Sequence, residues 1–367
     1  MATTGAAHAA SPARRNQDRA AVRVGVLGYG NVGSALVAML LAQRADIAAR
    51  SGVELHLVGV AVADPSRPRS GLPPLLLAPD AKALVADPDV DVIVELIGGV
   101  DPARGLVESA LGSRKPVVTA NKELIAAHGA ALAEVAAVAG VDLLYEAAVA
   151  GAIPLVRALR ESLAGEHVRR LMGIVNGTTN FILTAMSEDG LSYTQALAEA
   201  QRLGFAERDP TADVDGHDAA AKAAILASLA FRSDVVAEDV PREGIATVHP
   251  IDVAFGARLG YVVKLLAVIE RVDTDDRQRS TTGDPAPTPE ISARVHPAML
   301  PSTHPLASVR GAFNAVFVEG DGVGELMLYG RGAGGRPTAS AVLGDLIDAA
   351  HHLRTASPPR RVELVYV

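Results

Sequence analysis

The chain has 367 residues, 49% of them hydrophobic and 21% charged, and at roughly 100–200 residues per domain this length predicts two domains with sizeable cores. A disulfide-stapled miniprotein and a disordered chain are excluded. Lysine and arginine number 34 against 42 aspartates and glutamates, and the net charge of -8 disfavours nucleic acid and anionic membranes as partners. With Cys 0 there is no disulfide, thiolate nucleophile or zinc–thiolate site, in keeping with a reducing cytoplasm; Trp 0, Tyr 6 and Phe 6 leave little for base stacking.

Residues Met1 to Ala20 lack apolar periodicity and read as a disordered tail. There is no signal-peptide pattern and no run of the roughly 18–20 apolar residues that a membrane span needs, so a soluble protein is expected. From Val22 the pattern is strand, glycine turn, helix: VRVGVLG, GYGNVG, SALVAMLLAQ. Apolar runs at Leu55 to Ala63 and Val90 to Ile97 predict further strands, as do Pro116 to Thr119 and Asp142 to Glu146. Helical segments at Pro102 to Leu111 and Glu123 to Ala139 lie among them. Strands alternating with helices imply a parallel sheet covered on both faces, an α/β fold.

Past Gly151 the alternation is lost. A helix over Ile153 to Leu163, a strand near Leu171 to Asn176 and further helices predict an α+β domain over 151–324. Asp273 to Pro289 reads as a loop, Thr338 to Leu353 as one amphipathic helix and Val362 to Val367 as a closing strand. The helix returns the chain, over about 325–360, to a nucleotide-binding domain formed mainly by 21–150.

Gly28, Gly30 and Gly33, with Asn31 and Val32 between them, form a GxGxxG directly after a strand and at a helix start. The first glycine permits the tight turn, the second lets a pyrophosphate approach the backbone, and the third lets helix and strand pack closely. The alternative is a glycine turn of some other α/β protein. Asp64 ends the second strand, where a carboxylate suits an adenosine ribose; Arg67 and Arg69 follow and suit a 2′-phosphate or a solvated turn. The cofactor is therefore NAD or NADP, with NADP favoured.

Residues Leu203 to Leu226 hold an acidic turn and a lysine. Aligned as a calcium loop, Asp213 and Asp215 fall on ligand positions, but Lys222 falls where a bidentate glutamate belongs, which excludes calcium. On the helix that follows, Asp218 and Lys222 share a face. An ordinary surface ion pair is one reading. The apolar run around them supports another, a partly buried lysine able to give or take a proton near neutrality, as hydride addition to a carbonyl requires. Glu207 and Asp213 suit a cationic substrate group or plain turn chemistry.

GYGNVG at Gly28, ELIGG at Glu95, TANKELIA at Thr119, YEAAVAGAIPLV at Tyr145, NGTTNFIL at Asn176, LGFAERDPTADVDGHDAAAK at Leu203 and YGRGAGGRPTASAV at Tyr329 together resemble the homoserine dehydrogenases. The resemblance implies reversible NAD(P)-dependent interconversion of L-aspartate 4-semialdehyde and L-homoserine, on the route to threonine, isoleucine and methionine. It implies Lys222 as general acid/base, Asp218 and Glu207 contacting homoserine, Asp213 supporting that site, and Lys122 facing the reacting end. Gly204, Glu207 and Gly332 would lie on the nicotinamide side. It further implies a sodium ion held by the Glu146 carboxylate and the carbonyls of Val149, Gly151 and Ile153, and a homodimer or homotetramer.

Three departures stand out. Ala152 replaces a second glycine common in the family, and Ala63 stands where NADP-preferring relatives often carry arginine. The chain also ends at Val367 without the regulatory ACT domain of many bacterial members, so weak or absent threonine feedback is expected. A reductase of another small semialdehyde or 2-oxo acid, and a nucleotide-sensing protein without turnover, are the competing readings.

Overall fold

The computed structural model describes residues 21–272 and 290–355; the predicted tail, the loop Asp273 to Pro289 and the strand Val362 to Val367 lie outside them. Five parallel strands form the first sheet: β1 (Ala21–Leu27), β2 (Glu54–Ala61), β3 (Val92–Glu95), β4 (Val117–Thr119) and β5 (Leu143–Leu144), in the order β2-β1-β3-β4-β5. Val24, Val26, Val92, Val94 and Val118 are fully buried, because helices cover both faces. One cover is the helix Gly335–Thr355, which returns late in the chain and packs Ala339, Val342 and Leu346 into this core.

The second sheet is antiparallel: β6 (Val168–Ile174), β7 (Tyr261–Val272), β8 (Glu290–Pro301), β9 (Phe313–Gly320) and β10 (Gly324–Arg331), in the order β10-β9-β6-β7-β8. Its strands alternate faces as the pleat requires. Val263, Leu265, Ala267 and Ile269 of β7 point into the core shared with the helices, while Leu266 and Val268 join Met172, Ile174, Leu306 and Phe317 on the other side. The helices Gly177–Glu188 and His217–Phe231 fill the first face. The second is rich in alanine, which favours helix and lets neighbours approach closely.

Several predicted elements are shorter than the sequence pattern suggests: the strand expected over Val90 to Ile97 spans Val92–Glu95, and the one expected to reach Ala63 ends at Ala61. The helix expected from Ile153 starts at Leu155 because Pro154 biases the residue before it away from helix, and past Arg157 it opens into a π-turn over Ala158–Ser162. The strand expected to reach Glu146 stops at Leu144; Glu146–Ala148 form a 3-10 turn that aims the Glu146 carboxylate at two backbone amides. Among the described residues no single helix is long and apolar enough to cross a membrane.

Inside β7, Lys264 is buried and donates through Nζ to Asn180 Oδ1 (2.9 Å) and the Val309 carbonyl (2.5 Å). Burial, opposed by Glu188 and reinforced by Arg310, brings its pKa down to about 8. Between that value and the ordinary lysine range the unfolded chain binds the extra proton, so stability rises with pH there. Urea unfolding should show the wild type gaining on Lys264→Met by on the order of 3 kcal/mol between about pH 7 and pH 10. A difference that stays constant with pH would contradict this.

Candidate active site

Gly28 turns with φ +103°, and a β-carbon there would stand 2.5 Å from the Leu96 carbonyl oxygen. At Gly33 it would stand 2.3 Å from the Gly28 oxygen, so both positions admit glycine alone. At Gly30 a β-carbon would meet no described atom within 4 Å, and the turn is open on that side. The helix Asn31–Ala42 starts with no side-chain cap and no acidic residue in its first turn. Its first amides therefore face outward with positive partial charge, as an anionic pyrophosphate requires. Tyr29 Oη ties the turn to the Ser70 carbonyl (3.0 Å). Asp64 is exposed and accepts from the Ser66 amide and hydroxyl (3.0 and 2.6 Å), while Arg69 donates to the Asp64 and Arg67 carbonyls.

The crevice end of the sheet is braced by a buried carboxylate. Glu95 Oε1 accepts from the Ile97 amide (2.7 Å) and Oε2 from the Thr119 hydroxyl (2.6 Å), which in turn accepts from the Asn121 amide (2.9 Å). Asn121 donates to the Gly99 carbonyl (2.7 Å) and caps the helix Lys122–Ala139 by accepting from Leu124 N (3.1 Å). Lys122 is thus fixed as the first residue of that helix, where the helix dipole opposes a cation.

Its counter-charge comes from the other half of the molecule. Lys122 Nζ lies 2.5 Å from Asp218 Oδ1, and Lys222 Nζ lies 2.7 Å from Asp218 Oδ2. Lys222 also donates to the Val175 carbonyl (2.8 Å), and its side chain is 11% exposed against 36% for Lys122. Burial pushes the Asp218 carboxyl up, but the two ammoniums outweigh it and hold it far below the usual range. For Lys122 burial works downward and Asp218 wins, raising the ammonium above the ordinary lysine value. Asn176, at the end of β6, caps the next helix through Thr179 N (2.9 Å) and donates to both Asp213 Oδ1 (2.7 Å) and Asp218 Oδ2 (2.9 Å).

The sequence-predicted residues Lys122, Lys222, Asp218 and Asp213 therefore share one hydrogen-bonded group. Glu207 and Gly204 sit on an exposed loop. That loop is held beside the group by Thr178 Oγ1 donating to the Phe205 carbonyl (2.7 Å) and Gln201 Nε2 donating to the Glu207 carbonyl (3.0 Å). Gly332 lies against Asn314: a β-carbon on it would come within 1.9 Å of the Asn314 amide nitrogen. Asn314 donates to the Val175 carbonyl (3.0 Å).

Glu146 uses its two oxygens to accept from Val156 N (2.8 Å) and Arg157 N (2.7 Å), and its own amide donates to Asp345 (2.8 Å). Burial raises both carboxyls, Asp345 to about 7, with Arg157 opposing. Val149, Gly151 and Ile153 follow, all buried. The chain reverses there through Ala150 (φ +56°) and Gly151 (φ +57°). Ala152 avoids the left-handed region, so it occupies its position without strain.

Sequence reasoning passed over Asn176, Asn314 and the Glu95–Thr119–Asn121 bridge as individual residues. Asn176 and Asn121 carry a signal, an asparagine between strand and helix in N-cap position. Asn314 carries none, since only strand register brings it to the site.

A strand, glycine turn and uncapped helix start in a parallel sheet define a dinucleotide-binding domain, the class of fold on which NAD(P)-dependent oxidoreductases are built. The family model "Homoserine dehydrogenase, NAD binding domain" matches residues 28–146, and the model "Homoserine dehydrogenase" matches 154–347. A homoserine dehydrogenase of Corynebacterium glutamicum is 52% identical over 332 residues, which make up 90% of this chain and 72% of that protein. The one from Synechocystis is 45% identical over 89% of this chain and 73% of its own. The crystal structure of a homoserine dehydrogenase from Thiobacillus denitrificans superposes with TM-score 0.85 at 42% identity, covering 93% of this chain and 75% of that one. A hyperthermophilic archaeal homoserine dehydrogenase in complex with NADPH superposes with TM-score 0.71 at 28% identity, over 90% and 98%. The chain belongs to the homoserine dehydrogenase family, oxidoreductases acting on a CH–OH group.

Asp218→Asn leaves two ammoniums around a neutral amide, a break that costs about 3–5 kcal/mol when the pair is buried. In the variant Lys122 loses the carboxylate that raises its pKa while burial still lowers it, so its folded value drops below the unfolded one and lost stability returns as pH rises. Melting curves should show a large deficit near neutral pH that shrinks toward about pH 10. Equal deficits at both would contradict the shared neutralisation.

Proposed function

We propose that the protein reversibly reduces L-aspartate 4-semialdehyde to L-homoserine in the cytoplasm, on the route to threonine, isoleucine and methionine. Residues 21–150, completed by about 325–360, bind the nucleotide, and 151–324 bind the substrate. The observation that carries this reading is the Lys222 amine, buried on a carboxylate that it shares with Lys122. The cofactor is NAD(P), with NADP favoured; when bound, it supplies or accepts the hydride. Gly28, Gly30, Asn31, Val32 and Gly33 cradle its pyrophosphate, a role supported by the uncapped helix start. Gly204, Glu207, Lys122 and Gly332 line its nicotinamide side.

In the reductive direction Lys222 Nζ gives its proton to the aldehyde oxygen as negative charge develops there, and in the oxidative direction it takes the hydroxyl proton. Asp218 fixes the amine and stays ionised throughout, so it orients without competing for the proton. Lys122 adds positive charge beside the same oxygen. Glu207, Asp213 and Asp218 bind the substrate, the carboxylates matching its ammonium group. Lys222→Ala should lower kcat by about 10²–10⁴-fold with aspartate semialdehyde while NADPH still binds. Turnover near that of the wild type would remove Lys222 from the mechanism.

The segment Glu146, Val149, Gly151, Ile153 holds sodium on this reading. Its chemistry fits: the Glu146 carboxyl and the carbonyls of the buried turn that follows it are hard oxygen donors. Sodium chloride should raise the melting temperature more than choline chloride at equal ionic strength, and Glu146→Gln should abolish the difference. No difference in the wild type would exclude the ion. A homodimer or homotetramer is supported by the exposed apolar side chains Ile251 and Phe255 on the helix Pro250–Arg258 and Leu259 at its end.

A further inference from the structure

We propose that Asn314 is a positioning residue that sets both the place and the proton affinity of Lys222 through the Val175 carbonyl. The inference rests on the proposed proton-transfer role of Lys222. Asn314 lies on β9 with 1% of its surface exposed and pairs in register with Gly330 of β10. Its Nδ2 donates to the Val175 carbonyl at 3.0 Å, and that same oxygen accepts from Lys222 Nζ at 2.8 Å. Two donors therefore compete for one acceptor. Each weakens the hold of the oxygen on the other, so Asn314 keeps the ammonium more ready to release its proton.

The other half of the Asn314 amide is unusual. Oδ1 is buried and accepts no hydrogen bond among the described residues. An unmet buried acceptor is costly and calls for an explanation, a role in the site among them. The amide cannot turn over to relieve it, because Oδ1 would then face the Val175 oxygen. Close packing fixes it further: Gly332 presses on the amide, and a β-carbon on Gly151 would come within 2.5 Å of the Gly332 carbonyl. Asn314 thus joins the lysine to the loop that leads through Gly335 to the glycine turn, where a β-carbon on Gly335 would reach within 2.6 Å of the Asn31 oxygen.

The charged groups around Lys222 are Asp218 on its own helix, Lys122 across that carboxylate and Asp213 through Asn176. None of them touches Asn314 in a way that a substitution there removes. With Asn314→Ala the Val175 carbonyl accepts from Lys222 alone and holds its proton more firmly. With the isosteric Asn314→Asp the donor is lost and a negative charge is added, acting in the same direction.

The test is the pH profile of kcat/KM for homoserine oxidation, with Lys222→Ala alongside. Both Asn314 variants should shift the limb that reports Lys222 deprotonation to higher pH and lower kcat by about ten- to a hundredfold. KM for both substrates should change by no more than about twofold. Should the alanine variant not fold, the aspartate variant gives the same readout. An unshifted limb in folded Asn314 variants, with Lys222→Ala inactive, overturns the role of Asn314. An active Lys222→Ala instead overturns the reading beneath it.

Discussion

Two ammonium groups from separate helices close on one buried carboxylate, and the anion tolerates burial only because both cations stand within hydrogen-bond reach of it. Removing an ion from water costs several kcal/mol, so Asp218, with a side chain 5% exposed, is stable as an anion only while Lys122 and Lys222 stay in place. Lys122 rises from the crevice end of the parallel sheet, while Asp218 and Lys222 ride on the helix that packs on the antiparallel sheet. The triad therefore ties the two halves together across the site, and any displacement of one half leaves a charge without its counter-ion. An amine held in this way keeps its geometry.

Backbone contact does the remaining fixing. At Gly28 against Leu96 and at Gly335 against Asn31 main chain lies where a side chain would otherwise stand, and at Gly332 the Asn314 side chain does. These contacts tie the loop before the last helix to the dinucleotide turn and to the strand that carries Asn314. The last helix itself buries Ala339, Val342 and Leu346 in the first core, so the return of the chain is secured by apolar area as well as by shape.

Much of the first half was legible because its signals are local. Val-rich runs and the glycines after Leu27 each report their own conformation. Asp218 and Lys222 were legible as a pair because helical spacing puts them on one face. The second sheet was not: β7 carries Lys264 in its interior, β8 carries Pro297, and neither follows a simple alternation. Those residues make sense only once Asn180 and the Val309 carbonyl are in reach of the amine. Asn314 shows the limit most clearly, since strand pairing across long stretches of chain decides its neighbours. The sharing of Asp218 by Lys122 is likewise a tertiary fact, invisible to spacing.

The most direct measurement is the titration of the Asp218 carboxyl carbon by NMR in protein labelled at aspartate, with Asp218→Asn used to assign the signal. Held between two ammoniums, the carboxyl should remain ionised until the protein unfolds in acid, showing no midpoint near the ordinary aspartate value of 3.8. A reversible midpoint at or above that value in the folded protein would mean that the lysines do not neutralise it, and the central claim would be wrong.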